Sequence, residues 1–266
     1  MLSSELDILK QVRHPHIVSM HDLYESKDAV YIVTDLASGG ELFQQLLKKG
    51  SYTEKDASNL TRQMLEGLHY LHERDLLFQT AEDNANLMIT DFGLSKILKG
   101  QDDILTTACG TPGYVAPEVL LQTGHNKPVD LWSVGVILFT LLSGYTPFWG
   151  EDQASLFESI MSGKYDYDEE YWSDISDSDR LLAFDPNKRI TAEEALLHPW
   201  ITGSKEAGPR ANTNLVPTVR KGYSSRSSFT AVLLLNKLKV SEEDMSSSDE
   251  EKVKKIEKVK ELNIPF

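Results

Sequence analysis

Three observations predict an α+β fold with a small strand-bearing front and a large helical back. Two short β-like runs, Ile17 to Met20 and Val30 to Asp35, are separated by the polar turn Glu25-Ser26-Lys27-Asp28. Beyond Gly39-Gly40 the chain reads as helices joined by loops as far as Trp200. Two capping signals punctuate that stretch, Thr53-x-x-Asp56 and Thr191-Ala192-Glu193-Glu194. Strands gathered at one end and helices at the other is the α+β pattern.

Each element follows in order. Leu6, Leu9 and Val12 give Leu2 to Arg13 one apolar helical face, which His14-Pro15 stops. Gly39-Gly40 opens a helix from Glu41 to Lys49. Thr53 opens another that runs through Leu60, Met64, Leu68 and Leu71. The longest apolar-rich stretch, Val134 to Leu142, is interrupted by Gly135 and Thr140 and reads as a buried helix. Ala195, Leu196 and Leu197 follow the second capping signal, and Pro199 ends that helix.

Length and charge exclude several classes. The chain has 266 residues, enough for one large domain or two small ones. Its net charge of −14 argues against broad nucleic-acid binding. A single cysteine, Cys109, excludes an internal disulfide and fits a reducing compartment. No apolar run reaches the roughly 18 residues of a membrane span, and no charged segment leads into an apolar core at the N-terminus. Cytoplasm or nucleus is therefore expected, with no membrane partner. Charge is blocked along the chain. Residues 151–179 are strongly acidic, 212–240 hold Arg220, Lys221, Arg226, Lys237 and Lys239 with no acid, and the chain turns acidic and serine-rich again from Ser241.

The motifs carry more than composition does. Asp91-Phe92-Gly93 is weak alone. It is followed by Gly110-Thr111-Pro112-Gly113-Tyr114-Val115-Ala116-Pro117-Glu118, then by Asp130-Leu131-Trp132-Ser133-Val134-Gly135-Val136, then by Asp185-Pro186-Asn187-Lys188-Arg189. In this order and spacing the chain resembles a protein kinase. Ser38-Gly39-Gly40-Glu41-Leu42-Phe43, Thr106-Thr107-Ala108-Cys109 and the basic tail make it similar to the calcium/calmodulin-dependent group of serine/threonine kinases, from Ser3 to about Lys239.

The resemblance implies a protein-kinase-like fold, with an incomplete small lobe of one helix plus two or three strands and a mostly helical large lobe. It implies ATP and Mg²⁺ as co-substrate and cofactor, with Asp91 as the metal ligand, since a hard cation takes carboxylate oxygen. Glu5 would pair with a strand lysine that grips the ATP phosphates. Asp35 to Ala37 would form the hinge to adenine, Thr34 would gate the pocket behind it, and Glu41 would face the ribose or a basic substrate residue. Thr107 stands at the site phosphorylated by an upstream kinase. Glu118 and Arg189 stand where the family has a structural ion pair.

Three departures lie within this pattern. The chain starts at the helix carrying Glu5, so the glycine-rich phosphate loop and the strand lysine are expected before Met1, and Glu5 has no lysine partner within the chain. The strands near 17–20 and 30–35 would then keep an open edge. The segment Leu71-His72-Glu73-Arg74-Asp75-Leu76-Leu77-Phe78 is about ten residues short of the family's catalytic loop. Asp75 has two readings there. Glu-Arg-Asp imitates the His-Arg-Asp that carries the base; the spacing of Asp75 to Asp91 instead matches the metal-binding asparagine, and favours that role. One aspartate cannot serve both. Ser173 to Leu182 is also about five residues short of the helix that precedes Ala183-Phe184-Asp185-Pro186.

The tail from Tyr223 to Val240 has the spacing of a basic amphipathic helix, with Gly222 and Ser224-Ser225 weakening its start. Phe229, Val232, Leu233 and Leu238 suit capture by calmodulin. The expected organisation is a partial small lobe at 1–37, a large lobe at 38–202, an autoinhibitory, calmodulin-binding tail at 203–240 and an acidic tail at 241–266. The expected function is that of a calcium/calmodulin-dependent serine/threonine kinase, silent as written. Its partners are calcium/calmodulin, protein substrates and an upstream kinase. The alternatives are a pseudokinase-like calmodulin-binding or scaffolding module and a mis-joined coding sequence of an active kinase.

Overall fold

The computed structural model describes residues 2–27, 29–36, 38, 42–78, 88–89, 95–97, 105, 111–173, 175, 182–203 and 212–226, with side chains omitted at 2–5, 7, 96–97 and 225–226. The chain divides into two compact units, Met1–Arg226 and Ser227–Phe266, and every described residue belongs to the first.

Helix α1 (Leu2–Gln11) buries Ile8 and Leu9, and Val12 just beyond it caps the same apolar patch. Strands β1 (Met20–Glu25) and β2 (Val30–Thr34) form an antiparallel pair with Leu23 opposite Ile32 and Tyr24 opposite Tyr31. The first strand therefore lies after the apolar run at 17–20 that the sequence marks. Ile17 and Val18 are apolar because they are buried where the chain meets Ile89, with which Ile17 makes an isolated parallel bridge. The true strand, Met-His-Asp-Leu-Tyr-Glu, is mostly exposed and carries little apolar signal.

Helix α2 (Leu42–Lys48) buries Leu42, Phe43 and Leu46. Helix α3 (Glu54–His72) starts at a complete capping box, Thr53 accepting from the Asp56 N–H and Asp56 accepting from the Thr53 N–H. Its stripe Ala57, Thr61, Met64/Leu65, Leu68 and Leu71 is buried. Strand β3 (Leu76–Leu77) follows and pairs antiparallel with β4 (Lys96–Ile97). This ladder adds a strand pair to a region whose periodicity reads as helices joined by loops: two residues pairing across nineteen positions leave no local periodicity to detect.

A 3₁₀ turn at Pro112–Tyr114 leads to α4 (Pro117–Leu120) and then to α5 (Pro128–Ser143). Every residue of α5 from Val134 to Ser143 is buried, as expected of a helix apolar on all sides. One face, with Leu131, Val134, Leu138 and Leu141, joins a core made with α1 and α3. The other, with Trp132, Val136 and Phe139, joins a second core with Phe148, Leu156 and Ile160. Helices α6 (Gln153–Ser162), α7 (Glu169–Trp172), α8 (Ala192–Leu196), α9 (Pro199–Thr202) and α10 (Val216–Arg226) surround it. Pro199, which stops α8, also opens α9 as its first residue, where a missing N–H costs nothing.

The tail helix starts earlier than its own residues suggest. Leu215, Val216 and Val219 are buried. Leu215 donates to the Tyr52 carbonyl at 2.6 Å, and the Arg220 guanidinium donates to the Leu47 carbonyl at the end of α2. Lys221 pairs with Glu170 of α7, and Tyr223 stacks on Phe43. Gly222, a weak helix former, is tolerated inside α10 because it lies against the end of α5. A Cβ there would sit 2.2 Å from the Ser143 carbonyl oxygen. Gly144 completes the contact from the other side: it caps α5 at φ 84°, and a Cβ on it would lie 2.1 Å from the Val219 oxygen.

Replacing Gly144 with Ala combines left-handed strain with this overlap and is expected to cost about 2 kcal/mol or more. Urea unfolding should show a lowered midpoint, and trypsin should gain access to Arg220 and Lys221. An unchanged midpoint would rule out the close contact of α5 with α10.

Candidate functional site

The first turn of α5 gathers the segment that the sequence marks for chemistry. Asp130 is 2% exposed. Its Oδ2 accepts the Phe78 N–H at 3.0 Å and meets His72 Nε2 at 2.8 Å. Its Oδ1 has no partner among the described residues. Burial pushes the Asp130 carboxyl up from its ordinary value, opposed by the His72 and Phe78 bonds. Lys127, at the N-cap of α5, donates to Asp75 Oδ1 at 2.6 Å. Residues 72–78 are thus tied to α5 by His72, by Phe78 and by Asp75.

Asp75 takes φ 54°, a left-handed conformation that aspartate and asparagine tolerate better than most residues. It closes α3, with its N–H on the His72 carbonyl, and its carboxylate is engaged by Lys127. The strand after it pairs with Lys96–Ile97, which lies beyond Asp91-Phe92-Gly93 in the chain. The described residue nearest before Asp91, Ile89, is joined instead to the turn after α1: its N–H donates to the His16 carbonyl at 2.8 Å, and its carbonyl accepts from Val18. In this arrangement Asp75 anchors the turn between α3 and β3 to the start of α5.

Glu118 and Arg189 come together in the interior. Both are 5% exposed. Arg189 Nη1 donates to Glu118 Oε1 at 2.7 Å and Nη2 to Oε2 at 3.2 Å, a two-pronged pairing. Its remaining donors reach the carbonyls of Ala183, Pro128 and Phe184, and the guanidinium lies 5.1 Å from the Trp132 ring centroid. One side chain therefore joins α4, the start of α5 and the loop at 183–189.

The residues expected on the nucleotide side are placed less completely. Thr34 is exposed at the end of β2 and donates its hydroxyl to the Asp35 carbonyl at 3.3 Å. Asp35 gives its N–H to Ser19, and its carboxylate accepts from the Ser19 N–H and meets His21 at 2.6 Å. The Ser19 bond, with His21, holds that carboxyl below its ordinary value. Glu5 lies on α1. Ala37, Glu41, Asp91, Thr107, Phe229, Val232, Leu233 and Leu238 lie outside the described residues. Among the described residues no three His, Cys, Asp or Glu side chains are grouped to hold a metal.

Sequence reasoning met Asp130, His72 and Phe78 only as motif text without a role, and did not name Lys127. An aspartate at the head of an otherwise apolar helix is the signal that marks Asp130. The other three are visible only in three dimensions, since they meet across more than fifty positions.

Arg189→Ala would leave Glu118 buried without its partner, and is expected to destabilise the fold by about 3–5 kcal/mol. Chemical denaturation measures this directly. A double replacement of both residues by apolar ones should recover much of the loss, because it removes the buried charge as well.

Comparison with known proteins places this geometry. A family model described as "Protein kinase domain" matches residues 1–201. The chain is 39% identical over 257 residues to a calcium/calmodulin-dependent protein kinase type 1 of Macrobrachium nipponense, covering 90% of this chain and 74% of that one. It is 46% identical over 218 residues to the type 1 enzyme of Caenorhabditis elegans, covering 76% and 62%. It is 42% identical over 270 residues to the calcium/calmodulin-dependent protein kinase cmkA of Emericella nidulans, covering 95% and 64%. This chain thus spans somewhat less than two thirds of the last two. An ion-paired Glu118 and Arg189, a buried Asp-Leu-Trp helix and a two-stranded antiparallel sheet ahead of a helical lobe occur within the matched stretch, and the chain belongs to the protein kinase family, in its calcium/calmodulin-dependent group.

Proposed function

We propose that this chain is a serine/threonine kinase of the calcium/calmodulin-dependent type whose own phosphotransfer is silenced. The observation that supports silence is the Lys127–Asp75 pair: the one aspartate left by the shortened loop closes a turn and neutralises a lysine. A base must reach the substrate hydroxyl, and a second metal ligand must face the metal. Asp75 does neither while Lys127 holds it.

ATP and Mg²⁺ are the co-substrate and cofactor of this reading, with Asp91 as the metal carboxylate; bound Mg²⁺ neutralises charge on the phosphates. Thr34 and Asp35, and with them Ala37 and Glu41, would line the nucleotide side. Glu5 would orient the phosphate grip. Thr107 would receive phosphate from an upstream kinase. The helical lobe around α5 would dock the protein substrate.

A second reading, a calmodulin-binding module without turnover, draws support from the tail. Helix α10 is fastened to α2 by Arg220 and Tyr223, to the end of α5 by the close approach of Val219 and Gly222, and to α7 by the Lys221–Glu170 pair. Calcium/calmodulin would then take the basic stretch that follows, with Phe229, Val232, Leu233 and Leu238 as anchors.

Incubation of the 266-residue chain with labelled ATP, Mg²⁺ and a basic peptide is expected to give no incorporation above that of Asp91→Asn. Clear turnover above that variant would overturn the silencing. Separately, a peptide covering 215–240 is expected to gain helicity by circular dichroism on adding calcium/calmodulin. Unchanged helicity would remove the calmodulin assignment.

A further inference from the structure

Away from α5, the turn after α1 packs two histidines against α3. His14 Nδ1 accepts the His16 N–H at 3.2 Å, and the His14 carbonyl accepts the Ile17 N–H at 3.1 Å, so the turn closes on His14 twice. The His14 ring lies on Tyr70 of α3, with centroids 5.0 Å apart. Tyr70 is already occupied by charge and by hydrogen bonds: the Arg74 guanidinium sits 3.6 Å from its ring centroid, and its hydroxyl accepts the Arg13 N–H at 3.0 Å. The His16 ring meets Glu66 at 3.3 Å, and Arg62 pairs with the same carboxylate at 2.9 Å. The backbone of this turn holds Ile89, through the His16 carbonyl and the Val18 N–H.

We propose that the His14-Pro15-His16 turn is a proton-operated latch, in which charging His14 opens the turn and slackens the two hydrogen bonds that hold Ile89. The chemistry follows from the nitrogen inventory. In neutral imidazole one ring nitrogen accepts and the other donates; in the charged ring both donate. The Nδ1 that accepts the His16 N–H cannot take a proton and keep that bond. The new charge would also face other cations.

The groups around His14 decide the direction. From α3 it faces Glu66, which favours the charged ring, and Arg74, which opposes it; from the turn it faces His16, which also opposes it. Arg13 contacts the same Tyr70, and Ile89 brings no charge. Burial is the largest influence, and together these hold His14 below its ordinary value. A histidine lowered on folding stabilises the fold fully above its unfolded value, about 6.5, and loses that contribution as pH falls through the folded one. The latch is therefore closed at neutral pH and opens in acid. Ile89 stands two residues ahead of Asp91 in the chain, so the latch acts close in sequence to the proposed metal ligand, whether or not the chain turns over.

His14→Asn is the informative variant. Its side-chain oxygen can accept the His16 N–H, as asparagine does in turns, and it cannot be charged. Hydrogen exchange at the Val18 and Ile89 amides, measured on the whole chain, is expected to be equal in parent and variant at pH 7.5. At pH 5.5 the parent should exchange several-fold faster than the variant. His21→Asn, at an exposed strand histidine, should keep the parent's acid response. Equal protection of parent and His14→Asn at pH 5.5 would overturn the latch. Should the variant fail to fold, proton NMR of His14 in the parent decides: titration below the ordinary histidine value supports it, and titration at or above that value overturns it.

Discussion

The buried pairing of Arg189 with Glu118 is the constraint on which the helical lobe depends. Two charges at 5% exposure are stable only if each finds its partners, and Arg189 finds them in three different parts of the chain. Because one donor reaches the Pro128 carbonyl, the pair fixes where α5 begins. The beginning of α5 in turn places Lys127 and Asp130, and these two hold Asp75 and Phe78. A purely apolar contact at the same place would stabilise the lobe without dictating this geometry, since dispersion has no preferred direction.

Helix α5 carries the rest by being apolar on every side. It separates two cores, and neither could form against a helix with one polar face. Its C-terminal end, Ser143 and Gly144, is the floor on which α10 lies. The tail helix is for that reason part of the first compact unit, held by the same helix that anchors residues 72–78. The segment at 72–78 and helix α10 thus rest on one structural element.

Much of this was legible in the chain. The capping boxes at Thr53 and Thr191, the apolar helix of α5 and the order of motifs are local, and local signals survive in a sequence. Other features were displaced. The first strand fell three residues later than its apolar run, because Ile17 and Val18 are buried at a junction and the strand proper is not. Helix α10 starts at Val216 and runs through Gly222, whose poor propensity is outweighed by close contact with α5. Asp75 drew its expected role from Glu-Arg-Asp and from its spacing to Asp91. Its left-handed backbone and its lysine partner are invisible to a motif.

By itself the sequence determined the family, the α+β class, that these 266 residues hold no internal disulfide, and which residue types stand in the motif positions. These depend on composition, spacing and order along one dimension. Tertiary structure alone decided that Asp75 is engaged by Lys127, that Asp130 holds Phe78, that His14 closes its turn against Tyr70 and that α10 belongs to the lobe. Each of those is a meeting of groups far apart in the chain. Its stability comes from burial and hydrogen-bond geometry, which exist only once the chain has folded.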